Sequence, residues 1–86
     1  MDSSIKAVQG LLDETARECL RYVATHELSS SQYQRLSKFI FGCMNQKHEL
    51  PAQVERHGSG ELKKVLKFIA AAAEVLLEID AQQPEA

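Results

Sequence analysis

Ser59-Gly60-Glu61-Leu62-Lys63-Lys64-Val65-Leu66-Lys67-Phe68-Ile69-Ala70-Ala71-Ala72-Ala73-Glu74-Val75-Leu76-Leu77-Glu78-Ile79-Asp80 is the most strongly patterned stretch of the chain. Leu62, Val65, Ile69, Ala72, Leu76 and Ile79 recur at alternating short spacings that lay an apolar stripe along one face of an α-helix. Ser59 or Gly60 is placed to cap its start, the interior is rich in good helix formers, and no proline follows until Pro84. At about 100° per residue, Phe68, Ala72, Val75 and Ile79 form a second row beside the first. A helix covering one neighbour needs one row, so two rows separated by alanines predict a helix wedged between two neighbours. Either both belong to this chain or one belongs to another molecule.

The charges of this helix are segregated. Lys63, Lys64 and Lys67 occupy its N-terminal half and Glu74, Glu78 and Asp80 its C-terminal half, the reverse of what the helix dipole favours. Its stability must therefore come from packing, and its charged side forms a bipolar surface able to orient a docked partner.

Upstream, Ile5, Val8, Leu12, Ala16, Cys19, Leu20 and Val23 share a face and predict a first helix over residues 4–26, with Asp13, Glu14, Arg17, Glu18 and Arg21 on its other side. Ser29 with Gln32, and Ser31 with Gln34, are capping-box pairs. A second helix is expected over residues 30–46, its core face built from Tyr33, Leu36, Ile40 and Cys43 with Phe39 and Met44 flanking. Phe41 falls off that face and is the leading single candidate for a contact outside the fold. Residues 47–60 read as a polar connector broken by Pro51 and Gly58, with room for a short helix over 51–56. The third helix is expected over 60–81. The fold class that follows is all-α, a small antiparallel bundle of three main helices with one short extra helix possible, forming a single domain over residues 1–81 and a disordered tail over 82–86.

With 86 residues and 44% hydrophobic content, one modest core is expected, and chains of this size commonly gain stability from a partner. A formal charge of −2 supplies no basic footprint for nucleic acid. The N-terminal residues lack a basic-then-apolar leader pattern, and no window approaches a membrane span. Cys19 and Cys43 sit at apolar helical positions, which suits free thiols in a reducing, cytoplasmic setting.

Chemistry-bearing patterns are sparse. Cys19, His26, Cys43, His48 and His57 show no CxxC or HxxxH spacing, so no metal or cofactor is expected. Arg21 and His26 have a spacing found in some helical ribonuclease domains, which keeps a small helical enzyme or nuclease as an alternative. The leading expectation is a non-catalytic interaction module or complex subunit. It would bind a protein partner or itself, as a homodimer, through Phe41, Met44, Phe68, Ala72, Val75 and Ile79.

Ser31-Gln32-Tyr33-Gln34 after a serine-rich break resembles the opening of the second helix in the small co-chaperones of bacterial type III secretion needles. That resemblance implies a helical hairpin shielding a partner's amphipathic helix. Leu11-Leu12 through Ser29-Ser30-Ser31 is similar in cadence to the helical N-terminal domain of COMM-domain proteins. Each covers under half of the chain without a distinctive motif, and neither assigns a family.

Overall fold

The structure, a computed structural model, describes residues 3–83. Three helices, α1 (Ser3–Thr25), α2 (Ser30–His57) and α3 (Gly60–Gln82), run up, down and up, each touching the other two, with no strand among the described residues. The body is elongated, 47 × 18 × 17 Å, as the 28-residue α2 requires at about 1.5 Å of rise per residue.

Of the two capping boxes available, Ser29 with Gln32 forms. The Gln32 amide donates to Ser29 Oγ at 3.1 Å, and the Ser29 amide donates to Gln32 Oε1 at 2.9 Å. The short α1–α2 turn is fastened to the end of α3, where Gln83 Nε2 donates to the Glu27 carbonyl and the Glu27 amide donates to Gln83 Oε1. Gln82 and Gln83, expected in a disordered tail, are therefore placed; Pro84–Ala86 of that tail lie outside the described residues.

The expected connector after Gln46 is instead the second half of one continuous α2 with Pro51 inside it. Proline has no amide hydrogen, so the carbonyl four residues back, that of Lys47, loses its helical donor. Gln9 of α1 supplies one, its Nε2 donating to the Lys47 carbonyl at 2.8 Å. Lys47 also pairs with Asp13 of α1 at 2.8 Å. Leu36, Cys43 and Leu50, seven residues apart, keep one buried line running up to Pro51, and Val54 packs on the same cluster beyond it. Burial on both sides of the proline, together with the Gln9 donor, holds α2 helical where local sequence favours a break.

The core divides into two clusters, one toward each end of the bundle. Val8, Leu12, Cys43, Leu50 and Val65 form one, and Cys19, Tyr22, Leu36, Val75 and Ile79 the other. In α3 the innermost line is Val65, Phe68, Ala72, Val75, Ile79. Ala72, Val75 and Ile79 are fully or nearly fully buried, and Phe68 is half-buried against Phe39, ring centroids 5.3 Å apart. Ala72, Val75 and Ile79, expected on a partner-binding face, thus lie inside the bundle. The first sequence stripe is instead split: Val65, Ala72 and Ile79 are buried, while Leu62, Ile69 and Leu76 sit at the margin.

Glycines test this packing. A Cβ on Gly42 would meet the tip of the Phe68 ring at 2.5 Å, whereas one on Gly10 would meet nothing within 4 Å. Gly10→Ala is expected to stabilise the fold by roughly 0.5–1 kcal/mol, the helix-propensity difference. Gly42→Ala should fall short of that gain because the Phe68 ring must tilt away. Urea unfolding midpoints of the two variants check the order.

Candidate interaction surface

With one side of α3 committed to the core, its opposite side remains apolar. Leu66 and Leu77 are 43% and 68% exposed, Ala70 and Ala73 lie exposed between them, and Ile69 and Leu76 are half-buried at the α1 border. At about 100° per residue, Leu66, Ala73 and Leu77 point within about 40° of one another. α1 runs beside this stripe and contributes Leu11, itself exposed. Leu11, Thr15, Ile69, Ala73 and Leu76, with Glu14 and Glu18 on the α1 rim, line an open groove of about 200 Å³. The Thr15 hydroxyl donates to the Leu11 carbonyl at 2.7 Å, so its polar group is satisfied within α1 and the floor is effectively hydrocarbon.

The residues expected to make one partner-binding surface do not come together. Phe41 and Met44 are 66% and 59% exposed and lie on the flank of α2 away from Phe39 and Phe68. Phe68 fills the α2–α3 seam, and Ala72, Val75 and Ile79 are core. Leu66, Ala73 and Leu77 fall in neither apolar row of the sequence pattern, both of which lie on the core side of α3 and its margins. The signal for them was an apolar count in α3 larger than a single core face requires. A groove of similar size between α2 and α3 is more polar: Gln46, Glu49, Gln53, Glu61 and Lys64 surround Leu50 and Val65, and Lys64 pairs with Glu61 at 3.0 Å.

Arg21 and His26 enter a different arrangement at the far end of the bundle. His26 stacks flat on Tyr22, centroids 4.2 Å apart at 6°, and the Arg21 guanidinium lies 5.1 Å over the same ring. Tyr22 Oη donates to Asp80 Oδ2 at 2.5 Å, His26 Nε2 sits 3.1 Å from Asp80 Oδ1, and His26 Nδ1 sits 2.8 Å from Thr25 Oγ1. Arg21 is further held by Glu18 at 2.7 Å. Tyr22 and His26 tie α1 to α3 through Asp80, whereas the Thr25 and Glu18 contacts stay local to the end of α1.

The hydrogen bond from Tyr22, followed by that from His26, holds the Asp80 carboxyl below its ordinary value of 3.8, and the same bond to Asp80 pushes the Tyr22 phenol above 10. A depressed carboxyl stabilises the fold above its unfolded pKa and loses that contribution as pH falls through the folded value. A raised phenol does the converse, contributing below 10 and losing it on the alkaline side. The thermal midpoint is thus expected to drop below about pH 4, and Asp80→Asn should flatten that acid limb; an identical acid limb in the variant would sink the assignment.

Both cysteines are free and buried. Burial pushes the Cys43 thiol up to about 11, and burial, then neighbouring Cys43 and Glu18, push Cys19 up to about 11, so thiolate is scarce at neutral pH and nucleophilic use of either is disfavoured. Among the described residues, no three His, Cys, Asp or Glu side chains gather closely enough to hold a metal ion, and no helix is long and apolar enough to cross a membrane. Comparison with protein-family models, with curated proteins and with solved structures finds no match for this chain.

Proposed function

We propose that the protein is a non-catalytic interaction module that binds another polypeptide through the apolar side of α3 and the α1–α3 groove. The observation that carries this reading is the row Leu66, Ala70, Ala73, Leu77, exposed on a helix whose other side already supplies the core. Isolated exposed apolar residues are ordinary. A row of them continuous with an apolar groove is the usual mark of a helix-docking surface. Glu14 and Glu18 on the rim would fix a partner's orientation more than add affinity. The two unpaired, buried thiols suit a reducing compartment such as the cytoplasm.

Site-specific photo-crosslinking tests the reading in the cells that produce the protein. A Leu77→p-benzoylphenylalanine variant is expected to give discrete protein adducts, and the same substitution at Lys38, exposed on α2, is not. Adducts of equal yield from both positions, or from neither, would overturn it.

A further inference from the structure

The polar residues beside the apolar row are organised in a way that a single chain does not use. Lys63, Lys67, Glu74 and Glu78 all lie exposed along the flank of the row that faces away from α1. Glu78 is drawn to Arg35 of α2 at 3.6 Å. Among the described residues, Lys63, Lys67 and Glu74 make no ion pair or hydrogen bond. Basic residues at the N-terminal end and acidic residues at the C-terminal end oppose the helix dipole. The order thus works against the isolated helix, yet it is self-complementary when reversed.

We propose that the occupant of this surface is a second copy of the chain, with the two α3 helices packed antiparallel about a two-fold axis near Ala71 and Ala72. This rests on the interaction-module reading and names its partner. In such a pairing, residues on one flank face the same flank of the partner, so Lys67 meets Glu74 of the other copy and Lys63 meets Glu78. The same register sets Leu66 against Leu77 and Ala70 against Ala73. The small alanines at the centre let the backbones approach, and the leucines close the ends. A parallel pairing would instead set this charged flank against the opposite flank of the partner, the Ile69 and Leu76 side, and leave these charges without complements.

The outline of one long side of the 47 × 18 × 17 Å body is about 800 Å², which bounds what one partner can bury at the single-sided area of a standard interface. Only part of that side is apolar, so the dimer is expected to be reversible.

Sedimentation equilibrium of the full chain over a concentration series tests the proposal, with helicity recorded for each variant by circular dichroism. The 9.6 kDa chain should approach twice its mass with rising concentration. Leu66→Glu with Leu77→Glu, both at exposed positions, should give a folded monomer. Lys67→Glu creates two repulsive pairs per dimer and should raise the dissociation constant about tenfold, and adding Glu74→Lys should restore most of that loss. A wild-type monomer at every concentration overturns self-pairing, as does a dimer that survives the double leucine substitution or a charge swap that fails to rescue. The broader reading fails separately: a monomer whose position 77 still crosslinks a different protein sinks only the second copy, whereas a monomer that crosslinks nothing sinks both.

Discussion

Val75→Asp is expected to unfold this protein. Val75 is 3% exposed and packs among Cys19, Tyr22, Leu36 and Ile79, with no buried cation to pair a new carboxylate. The aspartate must be buried charged or protonated at neutral pH, which for a fully buried carboxyl corresponds to a pKa displacement of up to ~3–5 units, or about 4–7 kcal/mol. Lost apolar burial adds about 1.5–3 kcal/mol. A domain of this length has only about 4–13 kcal/mol of stability in all. The expected readout is loss of helical circular dichroism and of a cooperative thermal transition. Leu77→Asp, at a 68% exposed position, should keep both. If Val75→Asp stayed folded and lost only a binding partner, the inward assignment of the Phe68, Val75, Ile79 line would be wrong.

The second large effect runs the other way. Proline within a helix interior costs about 3 kcal/mol relative to alanine, and Pro51 leaves the Lys47 carbonyl to a donor from another helix. Pro51→Ala restores the missing amide, and the gain is reduced because proline also restricts the unfolded chain. An increase in unfolding free energy of roughly 1–3 kcal/mol is expected by urea titration. Gln9→Ala supplies the internal control. Alone it should cost up to about 1 kcal/mol, less where water reaches the exposed carbonyl. In the Pro51→Ala background the cost should shrink, because the backbone amide restored at position 51 then serves the same acceptor. Additive effects in that cycle would mean that Gln9 does not substitute for the missing helical donor.

These two residues mark where local sequence and tertiary structure part. Pro51, in a polar run ending at Gly58, has the composition of a connector, and propensity alone ends the helix near Gln46. Leu36, Cys43 and Leu50 repeat every seven residues, and that longer pattern carried the continuous helix across the apparent break. On α3, Leu66 and Leu77 are as apolar as Val75 and Ile79 yet fall outside both rows of the sequence pattern, because hydrophobicity is non-directional and spacing alone does not reveal a further apolar line left outside.

What the sequence by itself determined is the three main helices, the serine-rich break with its capping boxes, the turn at Gly58 and the apolar placement of both cysteines, because each follows from hydrogen bonding or periodicity within a few residues. Only the tertiary structure decided that α2 passes through Pro51, that Val65, Phe68, Ala72, Val75 and Ile79 form the inner line of α3, and that Leu66, Ala73 and Leu77 are left facing out. Those outcomes depend on Gln9 reaching the Lys47 carbonyl, on Phe68 seating against Gly42 and Phe39, and on Ala72 admitting close approach. Each is a contact between residues far apart in the chain, formed only when the three helices pack together.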